Sequence, residues 1–334
     1  MPAEQEPRFT VRPYQRGDET AILDLFARSF HAPRPIEHWR WKYENDPYGA
    51  HRISLAFDGD AALVGHYAGY PVSYQLEDKQ ILAYQIGDTM TDRAVRHIGR
   101  GPTSVLGRTA LHFYETFCEG QVAFNYGFNV DNIQKFSLRF LRSTRVESVA
   151  YRYRDLRTDP LPRLSRIERY ARGLRLELVR ETSPEWDELF ERTARHYRFL
   201  VRRDSRYVSW RYLSRPDVSY IVVALRKWQH LAGWLVIRMR SNRMTIGDLL
   251  VDPDHTDVVE PALRHLASLY SAEEMEMWCP PRPRWMEGLM ASLRLERRPE
   301  PQNLSVMCVP FTDPDAPAKI GDSLYYTMGD GDLF

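Results

Sequence analysis

The sequence predicts an α+β protein of two domains, each a mixed, mostly antiparallel central sheet flanked by helices. Three observations lead there. The chain has 334 residues, enough for two domains at roughly 150 residues each. Its apolar runs, such as Ile221–Leu225 and Leu231–Ile237, have strand length and alternate with stretches of helical period. A pair of motifs also occurs twice in the same order. Trp41-Lys42-Tyr43 with Pro47 is matched by Trp210-Arg211-Tyr212 with Pro216, and Ile86-Gly87-Asp88-Thr89-Met90-Thr91-Asp92 by Ile246-Gly247-Asp248-Leu249-Leu250-Val251-Asp252. Both pairs keep their spacing, which reads as a duplication.

The elements follow in parallel through the two halves. Val11–Pro13 and Leu174–Val179 read as opening strands. Asp18 and Ser183 are candidate N-caps, with Pro184 suited to the first helical position. Ile22, Leu25, Phe26 and Phe30 form one helical stripe, and Trp186, Leu189, Phe190, Ala194 and Tyr197 its counterpart. Strand-rich centres turn at Asp58-Gly59-Asp60 and at Lys227–His230. A helix over Thr103–Cys118 then corresponds to one over Glu260–Ser271, each followed by a strand (Val122–Tyr126, Glu274–Trp278), a short helix and a last strand. The Trp-rich segment Trp39–Tyr43, repeated in the second half, reads as packing rather than as a stacking platform for a base or sugar. The implied limits are a first domain at 1–152, a linker at 153–173, a second domain at 174–312 and a loose Asp-, Pro- and Gly-rich tail at 313–334.

Composition excludes several classes of function. A formal net charge of +1 gives no global field for nucleic acid or an anionic membrane. No apolar run has the length of a membrane span, and Met1–Glu6 is polar and acidic, unlike a signal peptide. Cys118, Cys279 and Cys308 are isolated and odd in number, which points to a reducing compartment, taken as cytoplasmic. The ten histidines show no metal-ligand spacing along the chain, so no metal is expected.

The motif with the most specific chemistry is Arg96-His97-Ile98-Gly99-Arg100-Gly101, after a strand and before a helix. A helix N-terminus presents unpaired N–H groups and the positive end of its dipole, a seat for a pyrophosphate. Glycines let the backbone approach an anion and adopt positive φ. Arginines add charge-assisted hydrogen bonds to phosphate oxygens. Pro102 and Thr103 begin the helix without sacrificing a needed N–H.

On these residues the chain resembles the GNAT acyltransferase superfamily, over Arg8–Arg152 closely and Leu174–Pro310 more weakly. The R-x-x-G-x-G pattern stands as Arg96, Gly99 and Gly101. The resemblance implies two GNAT-like domains with one acyl-CoA site, held by Met90, Thr91, Arg96, His97, Ile98, Gly99, Arg100, Gly101, Pro102, Thr103, Asn129 and Asn132. Acetyl-CoA is the implied cosubstrate. Asp88 is the candidate general base, Asp92 a second acid on the same segment, and Asp248 repeats Asp88 in the other half. The family often carries a tyrosine on the helix after the Asn segment. Here that register offers Phe136 or Ser137 and leaves the general acid unassigned.

The second half lacks the glycines. Pro253–Pro261 instead carries Asp254, Asp257 and Glu260, and like charges oppose a pyrophosphate. It reads as a degenerate copy. The expected activity is N-acetyl transfer to a small amine, an amino sugar or amino-acid derivative among the candidates, by direct attack on the thioester. The alternative is a non-catalytic acyl-CoA-binding or scaffold module. Transfer of an amino acid from tRNA, a third reading, needs a basic groove to which the near-neutral charge gives no support.

Overall fold

A computed structural model describes residues 9–334; of Asp131 and Asn132 it describes the backbone alone, and Met1–Glu6 lies outside the described residues. The chain divides into two compact units. Unit 1 comprises Met1–Val72, Ile81–Glu147 and Ser305–Ala318, and unit 2 comprises Ser73–Gln80, Ser148–Leu304 and Lys319–Phe334.

The elements from unit 1's sequence are β1 (Phe9–Pro13), α1 (Glu19–Phe30), α2 (Ile36–Tyr43), β2 (Ile53–Asp58), β3 (Leu63–Leu76), β4 (Lys79–Thr91), α3 (Val105–Phe113), β5 (Phe124–Asn129), α4 (Asp131–Phe140) and β6 (Thr144–Ser148). There follow β7 (Tyr151–Asp155), α5 (Arg166–Ala171), β8 (Leu174–Leu178), α6 (Pro184–Ala194), β9 (Phe199–Val201), α7 (Ser205–Val208), β10 (Ile221–Lys227), β11 (His230–Arg240) and β12 (Arg243–Val251). The chain ends with α8 (Val259–Leu269), β13 (Glu274–Trp278), α9 (Arg284–Ser292), β14 (Glu296–Arg298), β15 (Ser305–Pro310), α10 (Ala316–Ser323) and β16 (Leu324–Tyr325).

Unit 1's strands run β1-β2-β3-β4-β5-β15-β6, and unit 2's run β8-β10-β11-β12-β13-β7-β14. The two orders are the same, position by position. Each sheet inserts between its fifth and sixth strands a strand from the other half of the sequence. β7 follows β6 directly in sequence yet pairs β13 and β14, and β15 follows β14 yet pairs β5. This exchange revises the sequence-based limits. Residues 153–173, expected to be a linker, begin within β7 and contain α5, and Ser305–Ala318 belongs to the first unit.

The duplication extends to single hydrogen bonds. A bulge follows Ala56↔Gly65 in unit 1 and Leu225↔Gly233 in unit 2. Arg28 donates to Asp92 and to the Leu63 carbonyl; Arg192 donates to Asp252 and to the Leu231 carbonyl. The two motifs first seen in the sequence meet each other. Tyr43 donates to Asp88 at 2.7 Å, and Tyr212 to Asp248 at 2.6 Å.

The core of unit 1 forms where α1 and α2 cover one face of the sheet, with Ile22, Leu25, Trp39, Tyr43, Ile53 and Leu55 buried together. On another cluster α3 brings Ala110 and Phe113 against Tyr67 and Tyr84. The helix expected over Thr103–Cys118 is a 3-10 turn, then α3, then a π-helical turn over Tyr114–Cys118.

The tail, expected to be loose, is packed instead. Tyr325, Tyr326 and Thr327 are fully buried, and the Tyr325 hydroxyl donates to the Leu249 carbonyl of β12. A Cβ on Gly247 would meet the Phe334 ring at 1.7 Å. Aromatic side chains spaced through an otherwise polar segment outweigh its Asp and Gly content. Among the described residues no helix is long and apolar enough to cross a membrane, and Cys118, Cys279 and Cys308 are buried free thiols.

Candidate functional site

β4 and β5 are parallel neighbours over only three pairs, Ala83↔Phe124, Tyr84↔Asn125 and Gln85↔Tyr126. Beyond them the strands have no further register, and β4 continues to Thr91 toward the glycine-rich loop. There lies a cavity of about 590 Å³. Its walls are Thr89 and Thr91 of β4, the loop residues Arg96, Gly99, Arg100 and Gly101, and Ser104, Val105 and Leu106 at the start of α3. Ile133, Phe136 and Phe140 of α4 close it with an apolar side.

The loop is shaped for close backbone approach. Gly99 and Gly101 have φ of 69° and 54°, conformations that side chains disfavour. A Cβ at Gly99 would lie 2.3 Å from the Thr103 carbonyl oxygen, and one at Gly101 2.6 Å from the Phe140 ring. Between them, the Arg100 N–H donates to the Thr103 hydroxyl, which donates back to the Arg100 carbonyl. Ser104 caps α3, accepting the Gly107 N–H at 3.1 Å. The Val105 and Leu106 N–H groups, in the first helical turn, have no intrahelical acceptor, and both residues line the cavity together with the exposed Arg96 and Arg100. Arg96 is steadied by its Nε bond to the Thr91 carbonyl at 3.2 Å. Orphan N–H groups, a glycine cradle and two cations suit a pyrophosphate.

The structure divides the sequence-derived set. Thr91, Arg96, Gly99, Arg100 and Gly101 line the cavity. The Met90 side chain is buried in the core with Leu63 and Ala68. Ile98 packs against the cluster of Phe9, Val64 and Val105. His97 is exposed, and Pro102 and Thr103 form the 3-10 turn. Asn129 ends β5, its carbonyl accepting from the Gln134 side chain at 2.6 Å. Asn132 is in α4, and its side chain lies outside the described residues. Thr89, Ser104 and the α4 apolar residues were not in the sequence-derived set. Thr89 was available from the period-2 rule, since Thr91 and Thr89 share a strand face that Met90 does not. Phe136 and Phe140 are four residues apart on one helix face, their rings 5.2 Å apart.

Asp88 sits apart from the cavity lining. It has φ of 51°, and its carboxylate is bound by Arg34 through both guanidinium nitrogens, by Lys42 at 3.1 Å and by the Tyr43 hydroxyl. Burial alone would push the Asp88 carboxyl up. The charges of Arg34 and Lys42 and the hydrogen bonds of Arg34 and Tyr43 outweigh burial and hold it well below the usual carboxylate range. His66 donates its Nδ1–H to the Asp88 carbonyl at 2.8 Å, and burial pushes its pKa down to about 4. In unit 2 Arg203 takes the place of the cations, binding Asp248 at 2.9 Å and also Asp330, with both side chains of the Asp248 pair fully buried. Asp92 accepts the Ala94 N–H and pairs with Arg28, which keeps its carboxyl low.

The corresponding strands of unit 2 are covered differently. β12 and β13 pair through Ile246↔Met277, and past that point Tyr325, Thr327 and Phe334 lie against β12 at Leu249, Asp248 and Gly247. The side of β12 that corresponds to Thr89 on β4 is thus covered by the chain's own last residues.

Residues 10–137 match the family model described as an acetyltransferase (GNAT) domain. Among solved structures, the chain is similar to a probable N-acyltransferase from Enterococcus faecalis V583 (12% identity, TM-score 0.65, covering 91% of this chain and 73% of the other). A GCN5-related N-acetyltransferase from Kribbella flavida is also similar (14% identity, TM-score 0.64, 92% and 73% covered). So is the N-myristoyltransferase of Saccharomyces cerevisiae with bound myristoyl-CoA (11% identity, TM-score 0.57, 93% and 80% covered). No curated protein matches the sequence. Residues 10–137 thus match a GNAT acetyltransferase domain by family model, and about nine-tenths of the chain shares the fold of these solved structures.

Proposed function

We propose that this protein is an acetyl-CoA-dependent N-acyltransferase that acts on a small amine through a single site in unit 1. The observation that carries the reading is the glycine cradle opening onto the cavity beside β4. Two positive-φ glycines, the α3 N-terminus and two arginines converge on it. In this reading Arg96, Gly99, Arg100, Gly101 and the Val105 and Leu106 N–H groups hold the pyrophosphate. Thr89 and Thr91 border the pantetheine arm, with the β4 backbone around Met90–Thr91 presented to the thioester. Phe136 and Ile133 form its apolar side.

The chemistry asked of the chain is modest. It aligns the amine with the thioester carbonyl, offers an N–H to the oxygen as charge develops, and keeps water from competing. The amine nitrogen forms the new bond to the acyl carbon, the carbon–sulfur bond breaks, and the amine's proton is passed on by way of water. Asp88, a candidate base from sequence, acts here as a positioning residue. A carboxylate bound by two cations and a hydroxyl, with its pKa held low, is a weak base. The α4 register at which the family often carries a tyrosine holds Phe136 or Ser137, and with Phe136 in the cavity wall solvent, in this reading, supplies the proton to the departing thiolate.

Titration calorimetry with acetyl-CoA and CoA tests the reading. One site per chain is expected. Arg100→Glu, which reverses an exposed charge and leaves the backbone turn in place, should weaken binding at least a hundredfold. Gly101→Glu should abolish binding but also disturb α4, because its Cβ meets Phe140. Unchanged affinity in Arg100→Glu would remove the pyrophosphate assignment, and a second site would assign one to unit 2. Tight CoA binding without turnover over a panel of amines would favour the non-catalytic reading instead.

A further inference from the structure

The loop of unit 2 at the place of the pyrophosphate cradle has its own chemistry. After β12, Asp252 caps a 3-10 turn over Pro253–Val258, and His255 sits within it at φ −128°. β11 begins at His230. One donor atom from each of His230, Asp252 and His255 lies within 4.8 Å of the others, the arrangement of a two-histidine, one-carboxylate site. Asp252 is buried, His255 half-buried and His230 exposed, so the cluster is anchored from below and open to solvent.

Comparison with unit 1 shows what was added. The frame is the same in both: the Asp252 N–H donates to the Ala232 carbonyl as Asp92 does to Val64, and the N–H three residues on, His255 or Val95, returns to the aspartate carbonyl. Arg192 supports Asp252 as Arg28 supports Asp92. Stepping along this frame, His230 falls where unit 1 has Ala62, and His255 where it has Val95. An aspartate already oriented by an arginine and by the Asp254 N–H is thus joined by two imidazoles in unit 2 alone.

We infer that His230, Asp252 and His255 form a binding site for a borderline divalent transition-metal ion, zinc being the best fit. Two neutral imidazoles and one carboxylate match its ligand preference, and three protein ligands leave a position for water or a fourth donor. Bonds of about 2.1 Å in a tetrahedral site place donor atoms about 3.4 Å apart, so the cluster closes by at most about 1.4 Å. The exposed His230 can make most of that movement by side-chain rotation. Arg192 and the Asp254 N–H then act behind the ligand, orienting the carboxylate as outer-shell partners do. Asp254 and Asp257, the latter paired with Lys227, keep the surroundings from being repulsive to a cation. Spacing along the chain gave no metal signature because the two histidines are 25 positions apart and are brought together by the return of β12 beside β11. The site is independent of the acyl-transfer reading, which rests on unit 1.

The test is calorimetric titration of the chelator-treated full chain with zinc chloride in a non-coordinating buffer, followed by substitution with cobalt. The expected result is one zinc per chain with a micromolar dissociation constant, weakened at least tenfold in His230→Ala and in His255→Ala. Cobalt should give visible absorption bands that both variants lose. The variants remove an exposed and a half-buried ring respectively, and an unchanged circular dichroism spectrum confirms the fold. Asp252 is left intact because it also holds Arg192. Absence of stoichiometric binding, or binding unchanged in the double histidine variant, would overturn the assignment.

Discussion

At the scale of single residues, the duplicated aspartates explain more of the protein's stability than of its chemistry. Asp88 neutralises cations that burial would otherwise make costly: the Lys42 side chain is 1% exposed and that of Arg34 10%. Asp88→Asn removes the charge and leaves both cations under-compensated, so a loss of about 3–5 kcal/mol is expected in urea unfolding. Tyr43→Phe and its counterpart Tyr212→Phe should each cost about 1–2 kcal/mol, and equal costs would mark the two nodes as equivalent. His66 adds a pH dependence. Below an ordinary imidazole pKa of 6.5 the unfolded chain takes up a proton that the folded chain refuses until about 4. Stability from this group is therefore complete above 6.5 and is lost as pH falls toward 4, a gap worth about 3 kcal/mol. Asp330 pulls the other way, since burial raises its carboxyl to about 6 and its folded form keeps a proton that the unfolded chain releases from 3.8. The informative quantity is the difference between wild type and His66→Gln, measured at pH 7 and 4.5. The variant keeps a donor for the Asp88 carbonyl and should lose less stability on acidification; identical losses would exclude His66 as the source.

At the scale of elements, the glycine loop fails or holds through two different collisions. A methyl group at Gly101 meets a side-chain ring, whereas one at Gly99 meets the Thr103 backbone. Gly101→Ala and Gly99→Ala are both expected to weaken CoA binding tenfold or more. Adding Phe140→Leu should recover part of the Gly101→Ala loss, because the ring yields while the strained φ stays, at about 1 kcal/mol. It should recover none of the Gly99→Ala loss. Calorimetry on the two double variants separates these outcomes, and equal rescue of both would show that Phe140 acts other than by contact with Gly101. The loop was legible in the sequence because a positive-φ glycine and a phosphate-facing arginine leave few alternatives at that spacing. The opposite wall was not. Phe136 and Phe140 are ordinary helix residues until β5 and α4 are placed, and nothing local distinguishes a cavity-facing ring from a core ring. Met90 bears on the proposed site through its backbone alone. Its neighbours Thr89 and Thr91 line the cavity, and strand alternation turns its side chain into the core.

At the scale of the whole molecule, the duplication was readable from Trp-Lys-Tyr and Ile-Gly-Asp, but the exchange of strands was not. β7 and β15 carry ordinary strand sequences, and their pairing partners are set by long-range contacts that no local period encodes. The exchange has a consequence for any attempt to divide the chain. β5 pairs β4 over three positions and β15 over six. Within β15, Val306, Met307 and Cys308 are at most 2% exposed and belong to unit 1. Burying each such side chain is worth about 1.5–3 kcal/mol, so their loss together rivals the whole net stability of a domain, about 5–15 kcal/mol. It also leaves the β5 edge from Phe124 to Asn129 unpaired, an aggregation hazard. A fragment of residues 1–150, although it contains the entire matched family segment and the entire glycine loop, is therefore expected to be insoluble or molten and to bind no CoA. The same fragment followed by a short glycine-serine linker and residues 305–318 should recover a cooperative unfolding transition and CoA binding near that of the full chain. Folding and CoA binding by 1–150 alone would show that β15 is dispensable. Failure of the linked fragment, with the full chain binding CoA, would show that residues 1–150 and 305–318 do not suffice to fold unit 1.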